Sequence, residues 1–247
     1  MVNVLLSKTL IFLFRNVILR RKRLRYLKIL RGTKFTNNHG VEAVPCMKNS
    51  LKRQADAILP TDWGAFQIIA YSRKKNDALP HLAMVANNFD PKNAPTVVRI
   101  HSECMTGDVF HSHRCDCGEQ LDYAMREAAK TGGIVVYLRQ EGRGIGLINK
   151  LKAYRLQDKG LNTLEANLHL GFAADARTYE DAATILKDLS VESVALMTNN
   201  PLKINALQDL GIVVAERLPI LIQPKTENAA YLKTKQKEMG HLLELVN

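Results

Sequence analysis

The chain has no apolar run long enough to cross a bilayer, which takes about twenty helical residues. Its most hydrophobic stretch, near the N-terminus, is broken by Lys8 and Arg15. The basic cluster Arg20 to Arg25 follows the apolar residues instead of preceding them, the reverse of a secretory signal. Acidic residues are missing from positions 1–41, where ten basic ones fall (Lys8, Arg15, Arg20, Arg21, Lys22, Arg23, Arg25, Lys28, Arg31 and Lys34). Cysteine is scarce: four in 247 residues, unevenly spaced, do not make a disulfide framework and point to a reducing compartment. No internal repeat or low-complexity tract interrupts the chain.

What is present begins with charge. The net charge of +11 suggests a nucleic-acid partner until it is located. Removing the ten basic residues of 1–41 leaves 25 basic against 24 acidic residues, a net of +1. No nucleic-acid surface and no stable membrane insertion are therefore expected. The extension itself fits an organelle transit segment or a membrane-surface helix. Its other reading is a misassigned start, with the protein beginning at Met47. Localisation follows: cytoplasmic, or an organelle if residues 1–41 are a transit segment.

Beyond the extension, β-branched runs predict strands at Thr96–Ile100, Ile134–Leu138, Val194–Met197 and Ile212–Ala215. Helical spacing fills the gaps at Gly118–Lys130, Ile145–Lys159, Thr178–Leu189 and Pro201–Leu210, closed by Gly132, Gly160 and Gly211 among others. This alternation predicts an α/β (mixed α+β) fold with a mixed sheet flanked by helices. One domain is expected over residues 59–247, behind a basic extension over 1–58.

Three of the four cysteines, Cys104, Cys115 and Cys117, fall within one short segment. Three thiolates suit a zinc ion that keeps one position for water, which becomes a nucleophile at neutral pH. The same residues read as free thiols, or as a closed structural site if His111 or His113 supplies a fourth ligand. His101 and Glu103 precede them, as His-x-Glu precedes the cysteines of zinc nucleobase deaminases, a likeness of chemical type only. A polar residue at a strand end is an equal reading of His101.

Three further segments carry anion chemistry. Arg139-Gln-Glu141-Gly142-Arg143-Gly144-Ile-Gly146 stands between a strand and a helix, where glycines let backbone N–H groups approach phosphate. Arg143 strengthens that reading, and Glu141 can accept from a guanine-type N–H. Asp175 and Arg177 pair a base candidate with a phosphate partner, or form an ion pair capping the next helix. Thr198-Asn-Asn-Pro-Leu-Lys203 brings Thr198 and Lys203 to a helix start.

Arg99-Ile-His-Ser-Glu-Cys104-Met-Thr-Gly, Arg114-Cys-Asp-Cys-Gly118, Arg139 to Leu147, Leu170-Gly-Phe-Ala-Ala-Asp175 and Thr198 to Lys203 run in an order that closely resembles GTP cyclohydrolase II. The likeness covers about Leu59 to Leu243. It implies one zinc per subunit on Cys104, Cys115 and Cys117, and GTP as substrate with Mg2+ on its phosphates. It implies GTP contacts at Arg99, Ile100, His101, Ser102, Glu103, Gln120, Glu141, Gly142, Arg143, Thr163, Thr198 and Lys203. By the same resemblance Asp175 is the general base, and Arg177 acts on the α-phosphate as nucleophile or charge stabiliser. Tyr154 is a third catalytic residue and the assembly a homodimer. A paralogue stopping at a formamide product is the nearest rival within the enzymes.

Overall fold

The computed structural model describes residues 50–173 and 175–243. The extension expected over 1–41, Met47 and Cys46 lie outside these residues. Seven strands form one mixed sheet in the order β1-β2-β3-β5-β4-β6-β7. These are β1 (Lys52–Thr61), β2 (Gly64–Ser72), β3 (His81–Ala86), β4 (Thr96–Ser102), β5 (Ile134–Leu138), β6 (Ser193–Met197) and β7 (Val213–Leu218). β1, β2, β3 and β5 pair antiparallel, while β5, β4, β6 and β7 pair parallel. β1 crosses the expected boundary between residues 58 and 59, so the sheet begins at Lys52.

The helices are α1 (Met105–Asp108), α2 (Cys117–Thr131), α3 (Gly146–Gln157), α4 (Thr163–His169), α5 (Glu180–Asp188), α6 (Pro201–Asp209) and α7 (Ala229–Lys237). Among the described residues no helix is long and apolar enough to cross a membrane. Apolar side chains of α5 and α6, among them Ile185, Leu186 and Leu207, pack with Val98, Ile100 and Val136 on one face of the sheet. Ala124, Met125 and Ala128 of α2 pack with Phe66, Met84 and Val135 on the other. Each fully buried Ile or Leu of this kind stabilises the fold by roughly 1.5–3 kcal/mol.

Side chains alternate along a strand, so Val98 and Ile100 of β4 enter one core while Arg99 and His101 face the opposite side. A parallel strand covered on both faces normally reads as a continuous apolar run. Arg99, 6% exposed, and His101, 2% exposed, break that pattern in the middle of the sheet. β4 is also where connections diverge: the chain passes from β4 to β5 on one side, then crosses to β6 on the other. Ligands of open α/β sheets bind outside the carboxyl ends of the strands at such a switch point.

Candidate active site and metal centre

Loops after three neighbouring parallel strands meet at that crevice: Glu103 to Asp116 after β4, Arg139 to Ile145 after β5, and Thr198 to Asn200 after β6. The first brings the cysteines together. The Sγ atoms of Cys104, Cys115 and Cys117 lie within 4.8 Å of one another, with Cys104 and Cys115 at 3.6 Å. Two thiolates on one tetrahedral zinc, with bonds of about 2.3 Å, sit about 3.8 Å apart. His111 and His113 do not join this group, so a fourth protein ligand is not provided by them.

Two glycines make room for the sulfurs. A Cβ on Gly107 would lie 2.9 Å from the Cys115 sulfur, 3.3 Å from that of Cys104 and 3.0 Å from the Cys117 Cβ. A Cβ on Gly118 would meet the Gly107 carbonyl oxygen at 2.4 Å. The donor set, its spacing and this cradle fit a zinc ion. Hydrogen bonds from Cys115 and Cys117, helped by the Lys150 ammonium, hold the Cys104 thiol far below its ordinary range. The Cys104 sulfur in turn pushes Cys115 up to about 11. One resident cation cannot ionise three buried thiols, and a divalent metal can.

Lys150 of α3 donates to Cys104 Sγ at 3.0 Å and to Glu141 Oε1 at 2.8 Å. Burial alone would lower its pKa, but the Cys104 sulfur and the Glu141 carboxylate outweigh burial and keep it charged. Glu141 also accepts from the backbone N–H of Met105 at 2.7 Å and of Gly142 at 2.8 Å. It thus ties the glycine turn to the cysteine loop, a role beyond the guanine contact expected of it. The turn Glu141–Gly144 is kinked and not a continuous helix, because Gly142 (φ 62°) and Arg143 (φ 61°) are left-handed. Arginine rarely adopts that conformation outside functional sites.

Asp108 is a second hub. It accepts from His101 Nε2 at 3.0 Å, from the Tyr137 hydroxyl at 2.9 Å and from the Cys104 backbone N–H at 2.9 Å. His101 stacks on Tyr137, and burial lowers its pKa, so the imidazole is neutral at pH 7. Tyr154 approaches Thr106 Oγ1 at 3.4 Å, beneath the Arg114 guanidinium, and burial pushes it up to about 12.

Two adjoining cavities result. The first is lined by the three cysteines, Ser102, Glu103, Glu141, Gly142, Tyr154 and Thr163. The second is lined by Arg99, His101, Gln120, Thr198 and Lys203. Ser102, Cys117, Arg143, Arg177 and Tyr231 border both. The second contains five Arg or Lys side chains (Arg99, Arg143, Arg177, Lys203 and Lys235) and no carboxylate. Burial lowers Arg99 to about 10, and burial with Arg99 and Arg177 nearby depresses Lys203, which donates to the Ile100 carbonyl at 2.8 Å. Five buried polar atoms on its walls have no protein partner among the described residues: Arg99 Nε, His101 Nδ1, Ser102 Oγ, Arg143 NH1 and Asn200 Nδ2. Buried polar groups are nearly always paired with protein, ordered water or ligand, so these five call for a partner beyond the chain's own atoms.

Two expected residues stand apart. The Ile100 side chain is fully buried in the core and reaches the site only through its carbonyl. Asp175 borders neither cavity; it faces a separate hollow with Thr178 and Leu202. Its carboxylate chelates Arg177, accepting from Nε at 2.8 Å and NH2 at 2.5 Å. Burial raises Asp175, but Arg177 overcomes this and holds it below the usual carboxylate range. Asp175 in turn keeps the Arg177 guanidinium more firmly protonated than usual. Sequence reasoning passed over Gly107, Asp108, Asp116, Lys150, Tyr231 and Lys235. Gly107 and Asp116 stand within two of the matching motifs and Asp108 directly follows one; Tyr231 and Lys235 lie where no motif pointed.

A family model described as GTP cyclohydrolase II matches residues 52–219. GTP cyclohydrolase-2 of Buchnera aphidicola subsp. Schizaphis graminum is 53% identical over 188 residues, 76% of this chain and 95% of that protein. Its counterpart from subsp. Acyrthosiphon pisum is 50% identical over 188 residues, 76% of this chain and 96% of that one. Riboflavin biosynthesis protein RibBA of Bacillus velezensis is 51% identical over 194 residues, 78% of this chain and 48% of that protein. The chain spans about half the length of the relatives of this last type.

Proposed function

The chain belongs to the GTP cyclohydrolase II family, and we propose that it hydrolyses GTP to 2,5-diamino-6-ribosylamino-4(3H)-pyrimidinone 5′-phosphate, formate and pyrophosphate. This would be the first step of riboflavin biosynthesis. The observation that carries the reading is the second cavity, with five Arg or Lys side chains and no carboxylate in its lining, beside a set of unpartnered buried polar groups. A triphosphate offers acceptors to the donors among them, Arg99 Nε, Ser102 Oγ, Arg143 NH1 and Asn200 Nδ2, and leaves His101 Nδ1 to a donor elsewhere on the nucleotide. The adjoining cysteine cavity then receives the guanine, since the two share five lining residues.

Zinc, held by Cys104, Cys115 and Cys117, would supply a water made nucleophilic at neutral pH for attack on guanine C8. The chain's own residues do the remainder. Arg99, Arg143 and Lys203 hold the phosphates, which arrive with Mg2+. Neutral His101 offers Nδ1, with Asp108 fixing the ring through Nε2. Gln120 and Thr198 complete the phosphate end; Ser102, Glu103, Glu141, Gly142 and Thr163 border the guanine end, and Tyr154 positions the Cys104 side.

Arg177 is proposed to stabilise charge on the α-phosphate in place of forming a covalent adduct. A guanidinium chelated by a carboxylate is protonated and has no lone pair to offer. Asp175 is proposed as general base, a role that requires its carboxylate to leave Arg177 and turn from its own hollow toward the adjoining cavity as phosphate takes its place. The active unit is proposed to begin with β1, to work as a homodimer and to reside in the cytoplasm.

Incubation of purified protein with GTP, Zn2+ and Mg2+, with formate and pyrophosphate quantified together, tests the reading. Equal release of both is the expected result. Pyrophosphate without formate would transfer the protein to formamide-forming chemistry, and release of neither would sink the proposal.

A further inference from the structure

The family match ends at residue 219, yet α7, Ala229–Lys237, closes one side of both cavities. Tyr231 borders each of them, with the Arg143 guanidinium 5.8 Å and the Lys235 ammonium 5.0 Å from its ring centre. Leu232, 1% exposed, anchors the helix. Past its end, the Leu242 N–H donates to the Asn199 carbonyl at 2.8 Å, reaching the turn after β6.

Lys235 makes the decisive contact. Its ammonium lies 3.1 Å from Asp116 Oδ1, and both side chains are buried, 10% and 3% exposed. Asp116 stands between two of the cysteines. It also accepts from Gln120 Nε2 at 2.5 Å; Gln120 Oε1 accepts from Arg99 NH2 at 2.6 Å; and Arg99 NH1 donates to the Met197 carbonyl at 2.9 Å. One line of charge-assisted contacts therefore runs from α7 through the cysteine loop to the arginine of the polycationic cavity. Burying a lysine and an aspartate stabilises little in itself, whereas it fixes geometry, and both ends of this line are site groups.

We infer that α7 is an integral wall of the nucleotide site and that Lys235 is a positioning residue, holding the Cys115–Cys117 loop and the Gln120–Arg99 pair in register through Asp116. This rests on the proposed function only for its substrate. The geometry of the cysteine group is measurable without GTP.

The test uses the full chain as wild type, Lys235→Met, Lys235→Arg, Asp116→Asn and, as control, Lys233→Met, which alters an exposed lysine of the same helix. Metal affinity is read by chelator competition, and ligand geometry by the thiolate charge-transfer band of bound Co2+. Lys235→Met and Asp116→Asn should each weaken metal binding by about tenfold or more, the usual effect of losing a group that orients a ligand, and shift the band. Lys235→Arg should restore most of both properties, and Lys233→Met should match wild type. The double variant should be no worse than either single one. For GTP, KM should rise by about tenfold in Lys235→Met with kcat changed far less, as lost positioning of a binding group requires. A folded Lys235→Met with wild-type metal affinity, band and KM overturns the inference; so does additivity in the double variant. If Lys235→Met does not fold, Asp116→Asn and Lys235→Arg decide by the same readouts. If wild type turns over no GTP, the functional reading fails, and the metal measurements still decide the role of Lys235.

Discussion

Gly107→Ala sets two effects of opposite sign against each other. Gly107 lies inside α1, and its φ is not in the left-handed region, so alanine suits the backbone. Helix propensity alone predicts a gain of roughly 0.5–1 kcal/mol for Gly→Ala. The added methyl would sit 2.9 Å from the Cys115 sulfur and 3.3 Å from the Cys104 sulfur, where several tenths of an ångström more are needed. In the metal-free protein the thiols can rotate away. With a metal bound they cannot, because coordination tolerates only about 0.2 Å. Overpacking of this kind costs about 1–3 kcal/mol, roughly a 5- to 150-fold rise in metal dissociation constant. The assay is Zn2+ affinity by chelator competition beside thermal melting of metal-free protein. The expected pair of results is clearly weaker metal binding with a metal-free Tm changed far less, since only the Cys117 Cβ contact at 3.0 Å persists without metal. Wild-type metal affinity in Gly107→Ala would refute the account of the cradle.

Lys150→Met leaves Glu141, 9% exposed in its side chain, without its cation, and breaking a buried pair of this kind costs about 3–5 kcal/mol. Urea unfolding of the metal-free protein should show the loss, and Lys150→Arg should recover part of it. Asp181, held far below the usual carboxylate range by hydrogen bonds from His81 and Arg73, contributes stability that is present above its unfolded value of about 3.9. That contribution disappears as pH falls below 3.9 toward the depressed folded value, so Asp181→Asn should lower Tm at pH 7 and flatten its decline in acid. An unchanged acid limb in Asp181→Asn would contradict this. The five cations of the second cavity predict that GDP binds about tenfold or more weakly than GTP, measured as competitive inhibition of turnover.

The parallel half of the sheet was legible because its strands are short apolar runs, α2 and α5 are amphipathic and α3 and α6 are bounded by Gly or Pro: β5 spans the expected Ile134–Leu138, and α2, α3, α5 and α6 fall at the expected helices. The antiparallel half was not. Most of β1 is exposed, so Lys52–Thr61 shows no alternation of buried and solvent positions to read. α4 did carry a signal, the Asn162–Glu165 capping box, in a segment too short for periodicity. In the site, cysteines announce themselves by clustering and glycines by their spacing. Lys150, Asp108 and Lys235 do not, because a buried charge looks like a solvated one until the fold supplies its partner. Asp175 and Arg177 were legible as a pair, and their chelation, which turns Asp175 away from both cavities, belongs to tertiary geometry alone.

The contact between Lys235 and Asp116 joins positions 119 residues apart in the chain. At about 5–20 residues per second, a ribosome needs roughly 6–24 s to reach the lysine after making the aspartate. Throughout that interval the nascent cysteine loop carries a carboxylate without its ammonium partner, although every thiol has already been made. A metal met during translation would therefore find a cysteine loop that Lys235 does not yet hold, and one met after release a loop that it does.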